Sequence, residues 1–171
     1  MTAITTLDEL LAHAHQLEEE AVARYQELAD QMVIHHQPEL VTFFQTMARV
    51  EGLHVAKVRE LAAGRELPRL APWDYRWLTP EAPESVPIGQ EHYRMRPRQA
   101  LELALAAEER AHAFFAQAAG SCPDPEAQQT AAQLAEEERQ HAATLREWLT
   151  RYPVTADPDV LLDLDEPMAQ D

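Results

Sequence analysis

The sequence has a single cysteine, few basic residues and no long apolar run. One of its 171 residues is a cysteine, Cys122, so a disulfide framework and a Cys-x-x-Cys metal or redox site are excluded within a single chain. Lys and Arg number 14 against 30 Asp and Glu, which gives a formal net charge of -16. Because a nucleic-acid-binding surface must neutralise phosphates with basic residues, this composition argues against that class of protein.

The apolar residues are also never contiguous enough to span a membrane. The N-terminus has no basic start followed by an apolar segment, so we predict neither a membrane span nor a secretory leader, and a cytoplasmic location. The acidic balance suits a protein that attracts cations. Solvent-facing glutamates on helices explain most of that charge equally well.

Four stretches of the chain carry apolar residues at every third or fourth position, which is typical of amphipathic helices. Thr6 is a candidate N-cap for the first helix, and Pro38 both ends that helix and suits the first turn of the second. Gly64 marks the end of the second helix, and Gly120 with the following turn marks the end of the third. The predicted helices begin near Thr6, Pro38, Pro97 and Pro125, and the last one ends near Trp148 or Tyr152.

Residues 65–96 interrupt this pattern with several prolines and no apolar periodicity. Short links make the first and second helices, and the third and fourth, antiparallel neighbours. A long connection is needed if the second and third helices run in the same direction, because the chain must return along the bundle. We therefore predict an all-α fold, a four-helix bundle over residues 1–152 with a crossover at about 65–96. Its aromatic residues, Trp73, Tyr75, Trp77 and Tyr93, should pack it onto the bundle; a domain boundary is the alternative.

In each predicted helix the apolar residues at every third or fourth position form an inward-facing stripe, and one glutamate interrupts that stripe. Two of the four glutamates are followed by a histidine three positions later, on the same helix face. Burying an unpaired carboxylate costs several kcal/mol or more, so such a pattern indicates a cation between the side chains. The six residues are Glu18, Glu51, His54, Glu108, Glu138 and His141.

Four carboxylates and two imidazoles at one level of a bundle form a ligand set for two metal ions. Two divalent cations neutralise four carboxylates, and mixed oxygen and nitrogen ligands favour iron or manganese over metals that prefer thiolates. One Glu from each of two helices, with Glu-x-x-His from each of the other two, is the pattern of ferritin-like di-iron or di-manganese proteins. We therefore predict two iron ions as cofactors, with manganese as the alternative.

Over about residues 6–152 the chain resembles the ferritin-like superfamily, and within it the rubrerythrin-like and bacterioferritin-like proteins. The resemblance implies a ferritin-like bundle, in which Glu18 and Glu108 are terminal ligands and Glu51 and Glu138 bridge the metals. It gives His54 and His141 as the nitrogen ligands. Tyr25, seven residues after Glu18, is a candidate hydrogen-bond partner of a ligand, although packing explains it as well. The motifs that carry the resemblance are Glu18-x-x-Ala21-x-x-x-Tyr25, Glu51-x-x-His54, Glu108-x-x-Ala111-x-x-x-Phe115 and Glu138-x-x-His141.

The chain departs from the rubrerythrin pattern in two ways. It lacks the four cysteines of a rubredoxin-like domain, and Ala111 stands where rubrerythrins tend to have a second glutamate. The resemblance therefore implies a di-iron oxidoreductase, a ferroxidase or peroxidase, that oxidises Fe(II) or reduces O2 or hydrogen peroxide. Its electrons must come from an external donor or from Fe(II) itself.

Two other functions stay open. Residues 153–171 are acidic and lack Lys and Arg, which predicts a flexible tail. An apolar island within it, residues 160–164, is expected either to fold back on its own domain or to dock another protein. The second alternative describes an iron-binding cargo protein that docks a partner or shell through its tail. A di-iron substrate hydroxylase is the third possible function.

We also expect a homo-oligomer, such as a dimer. Two further side chains, His112 and Met47, are candidates for a transient metal ligand and a haem ligand, and surface and core positions explain them equally well.

Overall fold

The computed structural model describes residues 3–75, 77 and 95–154. These residues form four α-helices and one 3-10 turn at Pro72–Asp74, and they contain no β-strand. The all-α prediction is confirmed. The helices are α1 (Leu7–Ile34), α2 (Pro38–Leu61), α3 (Pro97–Ser121) and α4 (Pro125–Leu149).

The helix ends follow the signals in the sequence. The Thr6 side chain accepts a hydrogen bond from the amide of Glu9 at 3.2 Å, and thereby caps α1. Proline occupies the first turn of α2, α3 and α4, where a missing amide hydrogen costs nothing. Gly64, just after α2, has a φ of 77°, a left-handed conformation that glycine adopts without strain.

The helices form two closely packed antiparallel pairs, α1 with α2 and α3 with α4. An ion pair between Arg65 and Asp8 joins the segment that follows α2 to the start of α1. Asp124, the N-cap of α4, also accepts a hydrogen bond from the amide of Leu7 at 3.0 Å, so α1 and α4 begin at the same end of the bundle. Leu40 and Leu101 share one core cluster near the starts of α2 and α3. These two helices therefore run in the same direction, as the crossover requires.

The apolar core is divided into two clusters by a layer of polar side chains. One cluster includes Leu11, Leu17 and Leu134 and lies toward the start of α1. The other includes Tyr25 and Phe44 and lies toward the end of α1. Between them the helices bury four glutamates, none more than 1 % exposed. The bundle therefore has charged groups at the level where a continuous core would have leucines.

The start of the crossover packs onto the bundle, as expected from its aromatic residues. Trp77 is 8 % exposed, and Tyr75 stacks on it with ring centroids 5.0 Å apart. Both rings contact His13 of α1, which is buried. The side chain of Trp73, residues 78–94 with Tyr93, and the tail from residue 155 with its apolar island lie outside the described residues.

Leu61 follows Val58 by three residues, so the apolar periodicity of α2 predicts that it faces inward. It is instead 41 % exposed, because α2 ends at this residue and the bundle no longer covers it. Across the helices that the structure describes, none is both long and apolar enough to cross a membrane.

Candidate metal centre

All six side chains predicted from the stripes lie in the polar layer. α1 and α3 contribute Glu18 and Glu108, and the other four residues come from α2 and α4. The histidine side chains are 13 % and 11 % exposed, so they form the edge of the layer nearest to solvent. The carboxylates lie deeper. The layer thus consists of four buried carboxylates with two imidazoles at one side.

The carboxylate of Glu51 lies between the two imidazoles. Its Oε2 is 3.2 Å from Nδ1 of His54, and its Oε1 is 3.0 Å from Nδ1 of His141. Glu138 Oε2 is 3.3 Å from the same His141 nitrogen. Ligand atoms from Glu51, His54, Glu138 and His141 all lie within 4.8 Å of one another. One carboxylate thus faces both histidines, as a bridging ligand must.

The two remaining glutamates each face one histidine. Glu18 Oε2 is 3.6 Å from Nδ1 of His54, and Glu108 Oε2 is 3.6 Å from Nδ1 of His141. The layer therefore has two halves, one around each imidazole. Each half has its own terminal carboxylate and shares Glu51 with the other.

Most of the polar side-chain atoms of this layer are buried without a hydrogen bond. Both oxygens of Glu18 and both of Glu51, with Nδ1 of His54 and of His141, lack a hydrogen-bond partner. An imidazole nitrogen carries at most one hydrogen, yet His141 Nδ1 has three carboxylates within 3.6 Å. Buried polar groups without partners are costly, so the layer is incomplete as a hydrogen-bond network.

A metal ion would complete the layer. With metal–ligand distances of about 2.1 Å, neighbouring ligand atoms lie about 3.0 Å apart at a right angle and about 3.4 Å apart in a tetrahedron. The nitrogen–oxygen distances here run from 3.0 to 3.6 Å. Donor types, burial and spacing thus fit divalent cations with mixed oxygen and nitrogen ligands.

The outward nitrogen of His54 also has an acidic neighbour. Its Nε2 is 3.7 Å from Oε2 of Glu137, and Lys57 Nζ donates to the other oxygen of that carboxylate at 2.6 Å. The rings of His54 and His141 stack with centroids 5.1 Å apart and planes 9° apart. Acidic partners on the outer nitrogen of a metal-binding histidine orient the ring and raise its basicity. Glu137 is placed for that role.

The layer divides into protonated and ionised groups without metal. Burial raises the pKa of Glu18 to about 8, although His54 opposes the shift. Burial likewise raises the pKa of Glu138 well above its usual value. Burial would raise the pKa of Glu51 too, but the nearby His141 and His54 outweigh it, so that pKa is lowered.

The pKa values of the histidines shift upward. Burial lowers the pKa of His54, but Glu18 and Glu51 outweigh that effect and raise it to about 10. The pKa of His141 is also raised, because Glu108, Glu138 and Glu51 outweigh burial. Since a metal binds deprotonated ligands, binding at this layer must release protons.

One contact of the layer was not predicted from the sequence. The guanidinium of Arg24, whose residue is 4 % exposed, donates to Oε1 of Glu108 at 3.2 Å. The hydroxyl of Tyr25 donates a short hydrogen bond to the same oxygen. Tyr25 was predicted as a partner of a ligand, whereas no prediction was made for Arg24. Its position three residues after Ala21 and four before Leu28, both on the inward stripe, is the signal that could have identified it.

Two other candidate side chains have different roles. His112 Nδ1 is 2.8 Å from the main-chain carbonyl of Ala135, so it joins α3 to α4 and does not face the six residues. Met47 is 5 % exposed within an apolar cluster, which is a core position.

Comparison with known proteins identifies one matching family and one similar crystal structure. The family model described as Rubrerythrin matches residues 9–149. The crystal structure of an uncharacterised conserved protein from Magnetospirillum magnetotacticum is similar, with 39 % sequence identity and a TM-score of 0.76. The alignment covers 89 % of this chain and 99 % of that one. The comparison with curated proteins found no match.

Proposed function

The chain belongs to the rubrerythrin family, and from that premise we propose that it is a di-iron oxidoreductase that oxidises Fe(II) and reduces O2 or hydrogen peroxide. The observation that carries the proposal is the set of buried carboxylate oxygens and imidazole nitrogens that face one another without hydrogen bonds. Hydrogen bonding within the protein leaves this layer unsatisfied. Two divalent cations would satisfy it and balance its charge.

The six residues take distinct roles in this proposal. Glu51 would contribute to both metal positions, because its two oxygens face the two histidines separately. Glu138, whose Oε2 is 3.3 Å from His141 Nδ1, would be a further ligand. Glu18 with His54 would hold one ion, and Glu108 with His141 would hold the other. A pair of iron ions held there would supply reversible one-electron oxidation of each ion.

The protein itself supplies burial, orientation and proton acceptors. Glu18 and His54 hold protons in the metal-free layer, and both lose them when a cation binds. The histidine edge is the part of the layer nearest to solvent, so small oxidants and Fe(II) should approach from that side. The sole cysteine, Cys122, is buried, so the reducing electrons come from an external donor or from Fe(II).

The experiment that tests the proposal is anaerobic loading with Fe(II), followed by rapid mixing with O2 or hydrogen peroxide. We expect two iron ions per chain and an absorbance increase from Fe(III). Glu138→Gln should slow that increase by at least about tenfold, because it replaces a ligating carboxylate by an amide. Glu136→Gln, an exposed neighbour paired with Arg139, is the matched control. Oxidation by Glu138→Gln at the wild-type rate would refute the site.

The alternative functions gain no support from the described residues. A substrate hydroxylase would need an apolar pocket beside the metals. Two grooves of about 590 Å³ each lie beside the start of α2. One, lined by Phe43 and Trp148, faces the end of α4, and the other, lined by Met32 and Val41, faces the end of α1. Neither is lined by one of the six residues. Docking through the tail stays a prediction, because the tail lies outside the described residues.

A further inference from the structure

Each half of the polar layer has one terminal glutamate and one histidine, but the two halves differ in their surroundings. Glu18 and Glu108 lie 90 positions apart, as do the neighbouring pairs of the α1 and α3 stripes. The same offset pairs Arg24 with Phe114 and Tyr25 with Phe115. A guanidinium and a hydroxyl on one helix are thus matched by two phenyl rings, which have no hydrogen-bond donor. The sequence itself breaks the symmetry of the site.

The guanidinium and the hydroxyl that are present on only one side both contact the carboxylate of Glu108. Its Oε1 accepts hydrogen bonds from Arg24 Nη2 and from the Tyr25 hydroxyl. Its Oε2 is the oxygen that faces Nδ1 of His141. Because one oxygen is already used by two donors, Glu108 can offer a metal only the other. The two donors also fix the orientation of the carboxylate.

Glu18 has no such restraint. Both of its oxygens are buried and lack a hydrogen-bond partner, and the residue is fully buried. It can therefore offer a metal one oxygen or both. The carboxylate near His54 thus has two oxygens without a hydrogen bond, whereas the one near His141 has a single such oxygen and is held in one orientation.

We infer that Arg24 is a positioning residue that makes the two metal positions unequal, so that the Glu18–His54 half binds the first divalent cation and the Glu108–His141 half binds the second more weakly. The inference rests on the proposed metal site. Arginine keeps its positive charge at all accessible pH values, and that charge is hydrogen-bonded to the ligand of one half only. Repulsion between like charges falls with distance, so Arg24 disfavours a cation beside Glu108 more than one beside Glu18.

The test uses Co(II) alone as the probe, added to the full-length metal-free protein. Calorimetry and the visible absorption of bound cobalt both follow binding without any turnover. We expect two steps whose dissociation constants differ by at least about tenfold. His54→Ala should remove the tighter step, and His141→Ala should remove the weaker one. Loss of the tighter step in His141→Ala instead would overturn the inference.

Variants of the positioning residue provide the second readout. Arg24→Met removes the charge and should bring the two dissociation constants together, mainly by strengthening the weaker step. Arg24→Lys retains the charge and should restore the separation. Tyr25→Phe removes one hydrogen bond but no charge, and should leave most of the difference in place. Circular dichroism and thermal unfolding establish that each variant is folded.

The outcomes separate this inference from the proposed function. Two equal cobalt steps in the wild type, with iron oxidation intact, would overturn the role of Arg24 and leave the proposed function standing. A folded Arg24→Met variant with an unchanged separation would do the same. Absence of cobalt and iron binding would overturn both. If Arg24→Met does not fold, the two histidine variants decide the matter, because they retain Arg24.

Discussion

Replacing Glu51 by glutamine should destabilise the metal-free protein, whereas the same change at Glu138 should leave its stability nearly unchanged. Both residues are buried carboxylates in one layer, and each substitution is nearly isosteric. The difference lies in protonation. The pKa of Glu51 is lowered because His141 and His54 outweigh burial, while burial raises that of Glu138 well above its usual value.

The expected magnitude follows from what each variant leaves behind. Glu51→Gln removes the carboxylate between two protonated imidazoles, and breaking a buried charge pair costs about 3–5 kcal/mol. Because burial raises the pKa of Glu138 and so favours its neutral form, Glu138→Gln introduces an amide of similar shape and charge, which should cost less than about 1 kcal/mol. For a domain of this size, 1 kcal/mol corresponds to a Tm shift of about 2–4 °C. The Tm of the Glu51 variant should therefore fall by about 10 °C.

The assay is thermal and urea unfolding at pH 7 in the presence of a chelator, followed by circular dichroism. Each variant is then unfolded again with excess Co(II). The wild type should gain about 2.7 kcal/mol from each site at a free metal concentration one hundred times the dissociation constant of that site, and both variants should gain less. Equal destabilisation of the two metal-free variants would refute the assigned protonation states. A full metal-dependent gain in both variants would refute their role as ligands.

Two further predictions concern pH and the crossover. In the folded protein the pKa values of Glu18 and His54 are raised to about 8 and about 10. The protons that these groups hold therefore stabilise the fold fully at a pH below their pKa values in the unfolded chain, and this contribution is lost as the pH rises through their pKa values in the folded protein. Urea unfolding of the metal-free protein should show stability falling from about pH 5 to pH 10, with a shallower fall in Glu18→Gln; a rise over that range would contradict the shifts. Trp77→Ala should cost about 3 kcal/mol of unfolding free energy, because the ring is buried against His13 and Phe114. The control is Leu53→Ala, at a position that is 70 % exposed, which should cost less than about 0.5 kcal/mol. Similar losses of unfolding free energy in the two variants would mean that the crossover does not pack as described.

The sequence predicts the helices well because their ends carry local signals. Pro38, Pro97 and Pro125 each begin a helix, and Gly64 follows the end of one. The phase of the four glutamates is also a local property, since it needs only the helical period and the apolar residues on either side. The composition of the polar layer was therefore predictable before its geometry was known.

The contacts that the sequence does not predict depend on tertiary structure. A period of 3.6 residues allows either position 24 or 25 to face inward, and a long arginine side chain is stable there only because Glu108 lies opposite. His13 is buried because Tyr75 and Trp77 cover it, and their segment has no periodicity from which its path could be inferred. Leu61 lies on the stripe but at the last residue of its helix, where the bundle no longer covers it.

The Glu51 carboxylate, which belongs to the first helix pair, faces His141 of the second. A cation held between these side chains would be a cross-link between the two hairpins, in a chain whose single cysteine allows no internal disulfide. It would close a loop of roughly 90 residues, and a covalent cross-link of that span is worth on the order of 4 kcal/mol through the entropy of the unfolded chain. Metal binding would then add a link between two hairpins that the metal-free protein connects through its apolar clusters and a few polar contacts, such as those of Arg24 and Tyr25 with Glu108. Hydrogen exchange should detect this as hairpins that open independently without metal and together with it.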